Sequence, residues 1–197
     1  MKVLIGENLA EINVKNSRFI AEAFIIETQA QARDKLHAQK KRYPDATHVC
    51  HCFVCGKDGQ TSGMSDDGEP SGTAGRPMLD VLKGSGITNI LVTVTRYFGG
   101  TLLGTGGLVH AYSDSIKAVL STCRTEELVE KSIFSFTADY HDYQAIKRLF
   151  DSFNIENIEE NYSDLIDVSG KIHKAQAETF ASQIKDISKG KITVKVE

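Results

Sequence analysis

The sequence predicts an α+β protein of two domains, and three observations lead to that prediction. Strand-like and helix-like hydrophobic patterns succeed one another along the chain without an internal repeat. A polar, charged segment at residues 122–131, TCRTEELVEK, interrupts the apolar pattern, which then starts again. The elements after it follow the order β-α-β-β-α-β of a ferredoxin-like domain. We therefore predict an N-terminal α+β domain over residues 1–127 and a ferredoxin-like domain over residues 128–197.

Three segments of the first domain have the composition of strands. They are SRFIAEAFII at residues 17–26, ATHVCHCFVCG at residues 46–56 and GITNILVTVTRYF at residues 86–98. All three are rich in β-branched and aromatic residues, which favour the pleated, half-buried surface of a sheet.

Three further segments of this domain have helical patterns. The first begins after a possible N-cap at Thr28 and stops at Pro44. The second begins at Pro77, because proline is favoured at the first helical position, and it ends near a glycine C-cap. The third runs over residues 104–123, and its apolar stripe is Leu108, Tyr112, Ser115 and Val119 with Ile116 and Leu120 beside it.

In the second domain, apolar side chains alternate as in strands in some segments and recur at helical spacing in others. Strands are predicted at residues 133–140, 155–162, 164–172 and 191–196. Side chains at helical spacing predict two helices, one through Tyr143, Ile146, Leu149, Phe150 and Phe153, the other through Ala177, Phe180, Ala181, Ile184 and Ile187.

Composition places the chain among ordinary globular proteins. Its 197 residues are 41% hydrophobic and 25% charged, which is enough for one large or two modest cores. No apolar run approaches the roughly 20 residues of a membrane span, and the N-terminus lacks an apolar secretory segment with a cleavage site. We therefore expect a cytoplasmic protein with reduced cysteines and no membrane contact.

The net charge argues against a protein that binds nucleic acid through an overall positive charge. The net charge is −3, and the two predicted domains carry 14 basic with 14 acidic and 9 basic with 12 acidic side chains. The basic residues of one predicted helix form a cluster: Arg33, Lys35, Lys40, Lys41 and Arg42. A solvated helix face is the favoured interpretation of this cluster, and a local RNA-binding patch stays open.

A glycine-rich segment at residues 96–112, RYFGGTLLGTGGLVHAY, leads from a strand into a helix. Unpaired N–H groups at a helix start can bind a phosphate or carboxylate, and glycine permits close approach of the backbone. The spacing matches neither a dinucleotide-binding G-x-G-x-x-G nor a Walker loop. An anionic small ligand and tight packing of the loop are both consistent with the segment.

A second segment at residues 65–77, SDDGEPSGTAGRP, concentrates polar side chains. Asp66, Asp67 and Glu69 could bind a divalent cation, while Ser71, Thr73 and Arg76 could hold a phosphate. An enzyme would also need a base, and His48 or His110 could arrive from elsewhere in the fold. The favoured alternative is that the carboxylates form turns and cap neighbouring backbone.

The cysteine-rich segment at residues 48–55, HVCHCFVC, has the wrong geometry for zinc. On a strand, His48, Cys50 and Cys52 share one face and Cys55 points to the other. Structural zinc ligands usually come in pairs on turns, and no second pair follows. We predict that the cluster binds no zinc, and we expect neither a metal nor a cofactor.

Long motifs of this sequence resemble the YigZ/IMPACT family, which groups bacterial YigZ proteins with the eukaryotic IMPACT translation regulators. The motifs are NSRFIA at residues 16–21, ATHVC at 46–50, SDDGEPSGTAGRPML at 65–79 and VTRYFGGTLLGTGGLVHAY at 94–112. The resemblance implies an N-terminal α+β sandwich of the ribosomal-protein/GHMP-kinase fold group. It also implies a C-terminal domain similar to the last domain of elongation factor G.

The same resemblance implies a cytoplasmic binding protein linked to regulation of translation, whose partner is RNA, the ribosome or a ribosome-associated protein. The residues that match the family's motifs would line one face: Asp66, Asp67, Gly68, Glu69, Gly72, Thr73, Gly75, Arg96, Tyr97, Gly99, Gly100, Gly104, Gly106 and Gly107. Two alternatives are an enzyme acting on a small phosphorylated or nucleotide substrate, and a protein-docking module.

Two spatial expectations follow for these residues. The glycine-rich loops, loop A (residues 66–75) and loop B (residues 98–107), should meet at one surface. Arg96 should either contact an anionic ligand or form an internal salt bridge with Asp66, Asp67 or Glu69.

Overall fold

A computed structural model describes residues 1–197, the whole printed chain. The chain divides into two compact units, Met1–Leu128 and Val129–Glu197. Both units combine helices with antiparallel strands, so the predicted α+β fold with two domains is confirmed.

A five-stranded antiparallel sheet forms the centre of the N-terminal unit. The strands of this unit are β1 (Lys2–Leu4), β2 (Asn8–Val14), β3 (Ser17–Ile25), β4 (His48–Cys55), β5 (Thr61–Ser65), β6 (Ile90–Tyr97) and β7 (Thr125–Glu127). The sheet has the order β2-β3-β6-β4-β5, while β1 and β7 pair separately. Strand β6 therefore lies in the middle, between β3 and β4.

Helices cover both faces of this sheet. They are α1 (Gln29–Arg42), α2 (Gly75–Gly84) and α3 (Gly104–Thr122). The main core lies between the sheet and the pair α2 and α3, whose buried stripes supply residues such as Met78, Leu82, Tyr112 and Ile116. A smaller core on the opposite face contains Ala32 of α1.

The helix boundaries follow local chemistry. Thr28 caps α1 as predicted, and it forms a capping box with Gln31. Helix α2 begins at Gly75, two residues before the predicted start at Pro77, and the predicted stripe of α3 is buried. The N-cap residue of α2, Ala74, has no side chain that could cap the helix. The carboxylate of Asp66 accepts from the backbone there instead.

The C-terminal unit has the ferredoxin-like arrangement. Its elements are β8 (Lys131–Ala138), α4 (Tyr140–Lys147), a 3₁₀ turn (Phe150–Ser152), β9 (Ile155–Tyr162), β10 (Ile166–His173), α5 (Lys174–Ile187) and β11 (Lys195–Val196). The antiparallel sheet order is β11-β8-β10-β9. Its core lies between the sheet and the two helices, around Phe134, Tyr143, Phe180 and Ile184.

Three details of this unit differ from the sequence prediction. The helix predicted through Phe153 ends at Lys147, and Phe150 and Phe153 lie in and after the 3₁₀ turn. Only Lys195 and Val196 pair as a final strand, because residues 191–194 do not join the ladder of β8. Tyr140 does not continue the buried face of β8 but begins α4 and is exposed, because Asp139 caps that helix. No helix of the structure is both long enough and apolar enough to span a bilayer.

Candidate functional site

Loops A and B meet at a cleft of about 400 Å³ in the N-terminal unit. Loop A precedes α2 and loop B follows β6 into α3, so both lie where these helices begin. Loop A supplies Gly68, Glu69 and Pro70 to the lining, and loop B supplies Phe98, Leu102, Leu103, Gly104 and Thr105. The expectation that the two loops meet at one surface is confirmed. Arg96, Thr47, His48 and Leu108 complete the lining.

Glu69 is the centre of a buried polar network in the wall of this cleft. Its Oε1 accepts a hydrogen bond from Arg96 Nη1 at 2.6 Å and another from the Tyr112 hydroxyl at 2.8 Å. The side chains of Arg96 and Glu69 are only 7% and 2% exposed. Burial and the neighbouring Cys50 and Glu69 raise the pKa of Tyr112 well above its usual value, so its hydroxyl stays protonated as the donor.

Arg96 is held on several sides. Its guanidinium lies 5.5 Å from the ring centroids of both Phe19 and Phe98, and Nη2 reaches the Ser17 hydroxyl at 3.4 Å. Of the two roles expected for Arg96, the structure therefore contains the internal salt bridge, with Glu69 as its partner. The Nε atom of Arg96 is buried without a hydrogen-bond partner.

His48 connects the network to loop A. Its Nδ1 lies 2.8 Å from the Asp67 carbonyl oxygen, which can only accept, so Nδ1 carries the proton. Its Nε2 lies 3.9 Å from Glu69 Oε2, and the residue lines the cleft. Gly68, with φ +89°, lets the chain turn beside this ring, where an added Cβ would lie 3.3 Å from Nδ1.

Asp66 serves as the cap of α2. Its carboxylate accepts from the backbone N–H groups of Gly72, Ala74 and Gly75 at 2.7 to 3.0 Å. Burial raises the pKa of Asp66, but the three donated hydrogen bonds outweigh burial and leave the pKa below its usual value. The Asp66 carboxylate therefore binds backbone N–H groups from the other end of loop A.

Asp67 is also occupied by protein donors. It pairs with Lys40 of α1, and its other oxygen accepts from the backbone N–H of Val49 at 2.8 Å. The three acidic side chains of loop A thus have separate partners and do not converge. Within residues 1–197, no three His, Cys, Asp or Glu side chains lie close enough together to hold a metal ion.

The cysteines of β4 divide between the two faces of the sheet as predicted. Cys50 and Cys52 belong to the main core, and Cys55 belongs to the smaller core under α1. Burial raises the pKa of the Cys50 thiol to about 12, and this thiol donates to the Asp66 carbonyl at 3.0 Å. These thiols are therefore protonated and packed in the hydrophobic cores.

Several predicted site residues lie outside the cleft lining. Ser71 is exposed, Thr73 donates to the Pro70 carbonyl, Arg76 pairs with Asp80 on α2, and Tyr97 donates to Asp45. The remaining ones, Gly72, Gly75, Gly99, Gly100, Gly106 and Gly107, shape the loops and helix starts rather than the lining. Of the predicted set, the cleft brings together Gly68, Glu69, Arg96 and Gly104.

The start of α3 faces the cleft with an uncapped backbone. Its N-cap residue, Leu103, makes no side-chain cap, and its first turn contains no acidic residue. Gly104 and Thr105 line the cleft, and a Cβ on Gly106 would meet nothing within 4 Å. The N–H groups of a first helical turn lack intrahelical acceptors and favour negative charge.

Two apolar side chains of loop B were missed as site residues. Phe98 is 46% exposed and Leu102 is 83% exposed, and both line the cleft. The available signal was the presence of large apolar residues in a glycine-rich loop, where a purely structural loop would carry polar ones.

Family models match both units. Residues 15–120 match the Impact N-terminal domain. The chain belongs to the IMPACT family. Residues 136–191 match a second model, described as a domain of unknown function, DUF1949. Both loops and the whole cleft of this IMPACT family member lie within the first match.

Relatives extend the match over most of the chain. An IMPACT family member of Haemophilus influenzae is 36% identical over 188 residues, which is 94% of this chain and 91% of the relative. The IMPACT family member YigZ of Escherichia coli is 34% identical over 181 residues, which is 91% of this chain and 89% of the relative. A crystal structure described as that of a hypothetical protein is similar with a TM-score of 0.71 and 32% identity, covering 98% of this chain and 95% of its own.

Proposed function

We propose that this IMPACT family member is a cytoplasmic binding protein that regulates translation, and that its cleft binds a protein segment of the ribosome or of a ribosome-associated factor. The link to translation rests on the resemblance to the eukaryotic IMPACT regulators. The observation that carries the binding role is the combination of an apolar cleft mouth with walls whose charged groups are already paired.

The exposed side chains of the cleft favour a protein partner over RNA. Leu102 and Phe98 present apolar surface to solvent, and such surface is typical of sites that accept an apolar side chain of another protein. Three of the basic residues on α1, Lys35, Lys40 and Arg42, form ion pairs with acidic side chains. Most of the basic cluster on α1 is therefore already paired with carboxylates, which weakens its attraction for a phosphate backbone.

The start of α3 adds a preference for negative charge. Gly104 and Thr105, in the first turn of this helix, line the cleft together with Leu102. A partner segment that places an apolar side chain in the cleft and a carboxylate at the helix start would satisfy both features.

The carboxylates of loop A favour binding over catalysis. Asp66, Asp67 and Glu69 each accept hydrogen bonds from protein donors, so none is directed as a free base into the cleft. An enzyme that uses these carboxylates to bind a metal would require their present partners to be exchanged for that metal.

Affinity purification from cell extract tests this function. The tagged protein should retain ribosomal proteins or a ribosome-associated factor, and Leu102→Asp should lose that retention because it places a charge at the apolar mouth. Leu165→Asp is the matched control, since Leu165 is an exposed leucine of the C-terminal unit. Retention that Leu102→Asp leaves unchanged would contradict the cleft as the contact surface.

Nuclease treatment of the same extract separates the two classes of partner. A protein contact should survive digestion of the RNA, whereas loss of every retained component after digestion would show that RNA is the partner.

A further inference from the structure

The space between α1 and the sheet has an apolar half and a polar half. Ala32 lies over the apolar half, which contains Phe24, Phe53 and Leu91. About two turns further along, α1 buries a glutamine, Gln39, instead of an apolar residue. The strands below it also bury polar side chains on the face that α1 covers.

Four oxygen atoms of this polar half have no hydrogen-bond partner. They are Glu22 Oε2, Gln39 Oε1, Thr93 Oγ1 and Thr95 Oγ1, and all four are buried. Glu22 of β3 stands directly opposite Thr93 of β6, and Thr95 follows two residues later on the same face. Glu22, Thr93 and Thr95 are thus neighbours on the face of the sheet that α1 covers.

Such a layer costs stability without further partners. A buried acceptor that receives no hydrogen bond costs the full desolvation of that group, and proteins normally satisfy nearly all such atoms. The missing partner must donate to Glu22 and Gln39, whereas it can either donate to or accept from the two threonine hydroxyls. Water has these properties, and buried water usually bridges two to four polar groups.

The charge in the layer favours a neutral water molecule over a bound cation. The other carboxylate oxygen of Glu22 accepts from Arg42 Nη1 at 2.7 Å, so its negative charge already has a partner. A metal ion would add charge that no further acidic residue in the layer offsets.

We infer that α1 closes over a layer of buried water, and that α1 is the helix of the N-terminal unit that opens first in the folded protein. A helix that rests partly on water buries little apolar surface. Helix α1 buries only Ala32 and Gln39, whereas α3 buries six residues, among them Tyr112, Ile116 and Val119. The energy that holds α1 on the sheet is correspondingly small.

Ion pairs supply the other attachments of α1: Arg42 pairs with the buried Glu22, and the other two pairs lie at exposed positions. Lys35 pairs with Glu7, and Lys40 pairs with Asp67 of loop A. Ion pairs at exposed positions contribute little to stability. Opening of α1 breaks the contact with Asp67 and so frees one side of loop A. Any effect of this release on partner binding rests on the proposed function of the cleft. The opening of α1 itself does not depend on that function.

Hydrogen exchange of the free protein tests the opening without any partner. Amides in the last two turns of α1 should exchange at least about tenfold faster than amides in the middle of α3, after correction for intrinsic rates. Lys40→Ala should increase exchange in α1 and leave α3 unchanged. Equal protection of the two helices would overturn the inference.

Valine substitutions test the water. In a hydrated layer, Thr93→Val and Thr95→Val remove a partner of the water, so each should lower Tm by roughly 2–6 °C. Thr88→Val is the matched control, because the buried hydroxyl of Thr88 donates to the Gly56 carbonyl at 2.7 Å and its loss must destabilise the protein. A dry layer predicts the opposite sign, since valine would relieve an unsatisfied hydroxyl. A rise of Tm in both variants would therefore overturn the inference.

Discussion

Arg96 and Glu69 form an ion pair inside the N-terminal unit, with Nη1 and Oε1 2.6 Å apart and both side chains almost fully buried. The pair joins the central strand β6 to loop A, so it fixes the position of that loop beside loop B. Arg96 is therefore a structural residue in the first place, and any contact with a partner would be added to that role.

Arg96→Met should destabilise the protein strongly. The change leaves the Glu69 carboxylate buried with one of its donors missing, which typically costs about 3–5 kcal/mol. Arg76→Met is the matched control, because Arg76 pairs with Asp80 on the exposed side of α2 and its loss should cost no more than about 0.5 kcal/mol. Urea unfolding of both variants measures the difference, and an Arg96 variant as stable as the parent would contradict it.

Asp66→Ala should lower stability at neutral pH by about 1–3 kcal/mol, because three backbone donors at the start of α2 lose their acceptor. The pKa of Asp66 is depressed in the folded state, so its contribution is present above the unfolded pKa, which is about 4. That contribution disappears as the pH falls through the folded value. Unfolding curves should therefore differ between the variant and the parent at pH 7 and converge in acid. A constant difference at all pH values would show that the carboxylate charge is not involved.

Two glycines of loop B should respond to alanine in opposite ways. A Cβ on Gly99 would overlap the Asn16 carbonyl in the turn between β2 and β3, so Gly99→Ala should destabilise the protein by more than about 2 kcal/mol. A Cβ on Gly106 meets open space in the first turn of α3, so Gly106→Ala should be neutral or stabilising by up to about 1 kcal/mol. Thermal melts distinguish them, and equal melting temperatures would refute the predicted contrast. If Gly106→Ala also loses the retained partner, the space above this glycine belongs to the contact surface.

Glu160 should remain ionised to low pH in the C-terminal unit. Hydrogen bonds from the Tyr143 and Tyr162 hydroxyls, together with Lys147, lower the pKa of Glu160 to about 2. Its stabilising contribution is present above the unfolded pKa near 4.3 and is lost as the pH falls toward 2. NMR titration of the side-chain carboxyl should give a midpoint near 2. A midpoint near 4 would show that the two tyrosines do not hold the carboxylate in solution.

The sequence predicted the elements that carry their own apolar pattern. Strands β3 and β6 are buried on both faces and rich in β-branched and aromatic residues, and helix α3 has a buried stripe at helical spacing. Strands β2 and β5 were missed because both are edge strands with largely exposed or half-buried side chains. Pairing with a neighbour holds such strands in place, and pairing leaves no local signal in the sequence.

The candidate site was predictable in place but not in detail. Glycine composition and the two helix starts placed loops A and B together. The partners of Glu69 could not be predicted, because Arg96 and Tyr112 lie 27 and 43 residues away along the chain. Three carboxylates within four residues are equally consistent with a metal site, a cap and an internal ion pair, and only tertiary contacts distinguish these roles.

The contacts between tyrosine hydroxyls and carboxylates give the protein an optical signal for each unit. The chain has six tyrosines and no tryptophan, so tyrosine dominates its ultraviolet emission. Tyr112 donates to Glu69 in one unit, and Tyr143 and Tyr162 donate to Glu160 in the other. A carboxylate bound to the phenol quenches its excited state, so emission should brighten when either network comes apart. Replacing Tyr112 or Tyr143 with phenylalanine would then assign each step of brightening to one unit, without an added dye.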